Sequence, residues 1–266
     1  MSAQVRRRLR TEAVVLPALG VAVAVAAVEL APRLGILPRQ SFPPFSEIFG
    51  ALAGLLGDSE LWGAVRDTLS SWALSMVFAI LIAVPLGMAM GSSRVGALLM
   101  RLTIDFLRPI PSVALIPILV LIYGTQPSIK VALATLGATF PLLFQAMYGV
   151  ADVDPVAKDT ARAFGLGGWS RARRITFPSV VPYLTTGLRI SASVALILVV
   201  TGEYVVGVAG LGREVLIAQS GGAYDRMYAF IVATGVLGLG VNLALLAAER
   251  RVLFWHASQR GQGTDE

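Results

Sequence analysis

Long apolar runs alternate with short polar stretches along the whole chain. The runs are Val14–Ala31, Thr68–Met90, Val95–Ile122, Ile129–Val150, Leu188–Val208 and Met227–Ala248. Crossing about 30 Å of hydrocarbon takes roughly 20 apolar residues in a helix, so each run predicts a membrane span. The first follows Arg6, Arg7, Arg8 and Arg10 and is broken only by Pro17 and Glu29. That charge order is also the order of a cleavable signal peptide, but the run exceeds a signal core and further spans follow, which predicts a retained helix. Between the first two runs, Pro38, Pro43 and Pro44 open an extended stretch. Ser46 is then the expected cap of a short helix over Glu47–Leu56, too short to span and placed at the interface.

Composition agrees with this pattern. Of 266 residues, 56% are hydrophobic and 14% charged, and the mean hydropathy is +0.74. These values exclude disorder and argue against a soluble enzyme. The predicted fold class is an all-α membrane protein with six transmembrane helices, a periplasmic interfacial helix and a cytoplasmic helical loop, forming a single transmembrane domain over residues 1–266 with a core over 42–255. The net charge of +6 is distributed unevenly. With the N-terminus inside, 15 basic residues face the cytoplasm, 6 face the opposite side and Arg108 lies within a span. The excess of basic residues on inner loops sets both termini in the cytoplasm. It accounts for the basic balance without nucleic acid.

Catalytic and cofactor chemistry has little to build on. There are no cysteines, and the single histidine, His256, lies after the last run. No carboxylate–histidine cluster has metal-ligand spacing. A phosphate-cradling loop needs Gly-Lys followed by Ser or Thr, whereas the two lysines, Lys130 and Lys158, follow Ile129 and Ala157. The reading is a non-enzyme with no cofactor of its own. ATP-driven movement would need the nucleotide on another chain.

The polar insert over 151–186 carries the most information. Asp159-Thr160-Ala161-Arg162-Ala163-Phe164-Gly165 predicts a short amphipathic helix ending at a glycine corner, where Gly165 can adopt positive φ. Ser170 is the expected cap of a second helical turn. Pro178 is expected to stop it before the membrane, and Pro182 to redirect the chain further.

The insert resembles the EAA loop of bacterial ABC importer permeases, in which Glu-Ala-Ala, three residues, Gly, nine residues, Ile, any residue and Leu-Pro follow in order. Asp159, Thr160 and Ala161 fall on the Glu-Ala-Ala positions, Gly165 on Gly, Ile175 on Ile, Phe177 on Leu and Pro178 on Pro. The departures are Asp for Glu, Thr for Ala and Phe for Leu. Leu107–Pro117, the exit Gly149–Asp154, Thr186–Arg189, Glu203, Gly210–Gly212 and Glu249–Arg251 are similar to the nitrate, taurine, aliphatic-sulfonate and pyrimidine-precursor branch of that family. The resemblance implies a permease subunit in a bacterial inner membrane. It implies a pore of two permease copies, docked on a cytosolic ABC ATPase dimer that binds ATP-Mg, with an extracytoplasmic solute-binding protein delivering the solute. It implies further that Asp159, Thr160, Ala161, Arg162, Phe164, Gly165, Ile175 and Pro178 form the ATPase-coupling loop. The cargo stays open among anions, sulfonates, pyrimidines and riboflavin-like solutes.

The translocation pathway is read from Arg108, Pro109, Pro111 and Glu203. Arg108 can pair with Asp105 three residues away or attract an anionic solute. Pro109, Pro111 and Pro117 remove backbone donors, which predicts a kinked or unwound third span that either lines the pathway or packs against protein. Glu203 lies about 22 Å along the fifth span at 1.5 Å per residue, where it either orients solute or caps a helix end. Gly87 and Gly91 predict a close helix contact. The rival reading, an ion-coupled secondary transporter, calls for repeats or more intramembrane acids. A membrane-embedded enzyme calls for side chains this chain does not supply.

Overall fold

The computed structural model of the chain describes residues 3–93, 95–96, 98 and 111–252, and among these there is no strand. In order come α1 (Ala3–Arg33), α2 (Phe45–Leu55), α3 (Ser59–Gly91), a 3-10 turn (Ser112–Leu115), α4 (Ile116–Tyr123) and α5 (Ser128–Ala151). Then follow α6 (Pro155–Ala163), α7 (Gly168–Arg171), α8 (Phe177–Val206), α9 (Leu211–Ser220) and α10 (Tyr224–Val252). Among the described residues, five helical stretches are long and apolar enough to cross a membrane: Val15–Arg33, Ser59–Gly91, Ser128–Ala151, Gly168–Ser220 and Tyr224–Arg251. Most of the expected third span, with Asp105, Arg108 and Pro109, lies outside the described residues. Its end is broken as the prolines predict, since Pro111 is extended at ψ 121° and α4 restarts with Pro117 in its first turn.

The contacts group into two compact units, Met1–Trp62 with Glu214–Ala233, and Gly63–Arg213 with Thr234–Glu266. In the first unit the interfacial helix α2 is held to the end of α1. Glu29 accepts hydrogen bonds from the Ser46 backbone N–H at 2.9 Å and hydroxyl at 3.1 Å. Ser46 does not cap α2: the N-cap is Pro44, with no side-chain cap bond. The helix starts at Phe45, so Ser46 lies inside its first turn, where its hydroxyl oxygen accepts from Arg33 Nη2 at 3.1 Å. Arg39 pairs with Glu47, and that bond raises the guanidinium pKa above its usual value.

The second unit is built around the α5–α8 pair, whose interior mixes buried aliphatics such as Leu133, Leu142 and Val199 with small residues at the closest helix contacts. Ala134, Ala138, Ala146, Ala192, Ala195 and Ser191 are buried, whereas Leu121, Ile197 and Leu81 are exposed. Lipid tails are as apolar as leucine, so burying a large side chain gains little in a membrane and close backbone approach gains more. The glycines show how close the approach is. A Cβ on Gly137 would lie 2.1 Å from Leu198 Cδ1, and one on Gly187 would lie 2.9 Å from Gln145 Cβ. On α3, Gly87 and Gly91 face α5, where a Cβ would come 2.6 Å from the Leu143 carbonyl and 2.7 Å from that of Met147. Hydrogen bonds between helices fix the register: Ser191 Oγ donates to the Ala138 carbonyl at 2.7 Å and Trp72 Nε1 to that of Ala192 at 3.0 Å.

Pro178 does not stop the helix. From Gly168 the chain stays helical through Pro178 and Pro182 to Val206. The passage is opened by a π turn over Ala172–Thr176, in which the Phe177 N–H reaches back to the Ala172 carbonyl. Proline cannot donate to its i−4 carbonyl and its ring crowds that group, so widening the preceding turn relieves the clash without ending the helix. The residue before α7 is Gly167, and Ser170 lies inside the turn rather than capping it.

Gly87→Val should lower the thermal stability of the detergent-solubilised chain by about 1–3 kcal/mol, because overpacking drives the side chain into backbone. Gly240→Ala, in α10 with no atom within 4 Å of the added carbon, should leave it unchanged or raise it by up to about 1 kcal/mol. Thermal melts of both variants check the contrast.

Candidate functional site

The insert between α5 and α8 folds as a stiff corner. Asp154 caps α6, its carboxylate accepting from the Val156 N–H at 2.8 Å, and Pro155 takes the first helical position, where no N–H is needed. The helix ends at Gly165, φ 72°. The Gly165 N–H bonds the Arg162 carbonyl at 2.9 Å and the Leu166 N–H bonds that of Ala161 at 3.0 Å. This pairing is the Schellman motif, which satisfies the last carbonyls and fixes the exit direction.

Two further bonds fasten the corner to the α5–α8 pair. Lys158 Nζ donates to the Val150 carbonyl at 3.3 Å, closing the end of α5. The Tyr183 hydroxyl on α8 donates to Asp152. The structure brings Thr160, Ala161, Phe164 and Ile175 around one hollow of about 640 Å³, with Leu166 beside them. Asp159 and Arg162 pair at 2.8 Å on an exposed face. Pro178 lines a separate hollow with Asp152, Asp154 and Tyr183. Phe164 is 81% exposed and so is Trp169, at 82%. The sequence reading did not single out Trp169, although a tryptophan in a polar insert beside Gly167 and Gly168 was a usable signal.

At the other end of the α5–α8 pair lies a buried charged network. Glu203 is fully buried and Lys130 is 1% exposed, with Nζ 2.8 Å from Glu203 Oε1. The ammonium also donates to the carbonyls of Ala209 and, at 3.3 Å, Asp67. The carboxylate accepts from the Thr68 hydroxyl at 2.9 Å and from the Gly212 N–H at 3.1 Å. Thr68 Oγ1 in turn accepts from the Leu211 N–H at 3.0 Å. Leu211 and Gly212 open α9, so two of the free donors at its N-terminus are satisfied by side chains distant in sequence. A Cβ on Gly210 would lie 2.0 Å from Glu203 Oε1, and only glycine leaves room for the carboxylate. The sequence reading counted Lys130 among the outer basic residues and gave it no partner. Pro111 is exposed at the broken end of the third span.

A membrane-depth hollow of about 730 Å³ lies among α3, α4 and α5. Ser70, Ser71, Tyr123, Ser128 and Thr135 are the hydroxyl-bearing residues of a lining with no charged residue, and the buried Thr135 hydroxyl has no hydrogen-bond partner. No described His, Asp or Glu cluster has the spacing to hold a metal.

The described helices long and apolar enough to cross a membrane make the chain a membrane protein, with a helical corner between α5 and α8. The chain belongs to the family of binding-protein-dependent transport system inner membrane components, whose profile matches residues 75–254. It is 31% identical over 222 residues to the taurine transport system permease protein TauC of Escherichia coli (strain K12), covering 80% of each chain. It is 27% identical to the putative aliphatic sulfonates transport permease protein SsuC of the same strain, covering 87% of this chain and 88% of that one. Its fold is similar to a chain of the MetNI methionine ABC transporter solved in inward-facing conformations. The TM-score there is 0.61 at 22% identity, over 73% of this chain and 96% of that chain. The chain is thus a permease subunit of an ABC importer and an inner-membrane component.

Lys130→Met alone should cost about 3–5 kcal/mol, because it leaves the Glu203 carboxylate buried and uncompensated. The double variant Lys130→Met/Glu203→Leu should recover most of that loss. Thermal unfolding of the two purified variants measures the difference.

Proposed function

We propose that the 159–178 loop is the knob through which a separate cytosolic ATPase drives this permease. The observation that carries the reading is the Schellman corner at Gly165. It presents Phe164 and Trp169 outward on a segment bonded to both α5 and α8. A flexible loop would absorb a push, whereas a corner continuous with α8 transmits it and turns the helices as rigid bodies. Phe164 and Trp169 supply apolar anchors, and Asp159 and Arg162 form a polar rim, a division of labour common to protein interfaces. Thr160, Ala161 and Ile175 line one hollow with Phe164, and Pro178 sets the π turn through which the corner joins α8.

In this reading the nucleotide and its Mg stay on the ATPase dimer, and this chain does no hydrolysis. Both termini and the loop lie on the cytoplasmic side, as the charge bias requires. Two permease copies form the pore and an extracytoplasmic solute-binding protein delivers the cargo. The substrate class is a small organosulfonate, supported by the names of the taurine and aliphatic-sulfonate relatives. Arg108, Pro109 and Pro111 contribute to the pathway.

Gly165→Pro removes the N–H bonded to Arg162 and forbids the positive φ, and Asp159→Lys reverses the charge of the rim. Each should abolish co-purification with the ATPase subunit while leaving the chain in the membrane fraction. In proteoliposomes holding the full complex and its binding protein, taurine uptake should require ATP. Uptake that proceeds without ATP and follows a proton or sodium gradient would overturn the reading.

A further inference from the structure

The Lys130–Glu203 pair is distant from the loop proposed to meet the ATPase. Lys130 sits in the first turn of α5 and the loop begins beyond its last turn, about 30 Å away at 1.5 Å per residue. Burying an ion pair rarely adds stability over well-packed apolar side chains, and its best-attested use is to specify one arrangement. The contacts here show which arrangement. Lys130 donates to the Ala209 carbonyl, Glu203 accepts from the Gly212 N–H, and Thr68 accepts from the Leu211 N–H. All three fall on one turn, which begins at Gly207 (φ 77°) and passes through Gly210 (φ 140°). The turn lacks a Cβ where one would strike the carboxylate.

We propose that Lys130 and Glu203 are positioning residues for transport. They clamp the 207–212 turn to the far end of the α5–α8 pair, so that a movement delivered at the coupling loop is expressed at the opposite end. This rests on the coupling reading above and assigns Glu203 a role inside the protein instead of one facing solute. The clamp is polarity-specific: the ammonium meets carbonyls and the carboxylate meets N–H groups. Exchanging the charges as Lys130→Glu/Glu203→Lys therefore does not restore it.

The chain contains no cysteine, so Arg213→Cys, at an exposed position just past the turn, gives a single reporter on this subunit. In the assembled transporter with its ATPase, labelling of that cysteine by a membrane-impermeant maleimide should change between the nucleotide-free state and ATP with vanadate. Lys130→Met/Glu203→Leu should still assemble and hydrolyse ATP, yet lose this nucleotide-dependent change. The charge-exchanged pair should lose it too. A retained change in either double variant overturns the clamp alone. Failure of the ATPase to associate even with the otherwise unmodified reporter chain overturns the coupling reading and the clamp with it. If the double variants do not assemble, Thr68→Val decides. It removes one bond to the turn and leaves the ion pair, so a weakened response supports the clamp and an unaltered one overturns it.

Discussion

The close approach of α5 and α8 is the contact on which the rest of the second unit depends. In a membrane the hydrophobic effect does not separate large apolar side chains from their surroundings, so helices associate through packing and short polar bonds. Gly137, Gly149 and Gly187 remove the side chains that would hold the two backbones apart. Ser191 then secures the contact with a bond to the Ala138 carbonyl. The same logic brings α3 onto α5 through Gly87 and Gly91. Large side chains such as Leu81, Leu121 and Ile197 can stay on the outside, because lipid accepts them without cost.

The α5–α8 pair carries a fixed attachment at each end. At one end the Gly165 corner is bonded to α5 through Lys158 and to the pair through Tyr183 and Asp152. At the other, a buried lysine and glutamate hold the turn into α9. Neither end is an enzyme site. The chemistry of both is mechanical: hydrogen bonds and one ion pair convert local backbone geometry into fixed attachment.

Much of this was legible along the chain because it is local. The fourth apolar run, read as Ile129–Val150, is α5 at Ser128–Ala151. The short helix read at Glu47–Leu56 is α2 at Phe45–Leu55. The glycine corner could be read because a Schellman motif is written in consecutive residues. Where the reading went astray, a group distant in sequence or a backbone adjustment had intervened. Ser46 looked like a cap, but α2 starts one residue before it and its hydroxyl is engaged by Arg33 and Glu29 of another helix. Pro178 looked like a stop, but a π turn one step earlier accommodates it. After the fifth run lies α9, which no apolar run announced, and its first donors are satisfied by Thr68 and Glu203.

The sequence by itself determined the membrane class, the long apolar segments that became α3, α5, α8 and α10, and the corner at Gly165. Each of these depends on residue type and on neighbours within a few positions. Only the tertiary structure decided that Lys130 and Glu203, 73 residues apart, share one hydrogen bond, and that Gly210 exists to admit their carboxylate. A buried charge has a partner because leaving it alone is too costly, but that cost names no particular partner. The identity of the partner is set by which helices pack, and that depends on small-residue contacts spread over the whole α5–α8 interface.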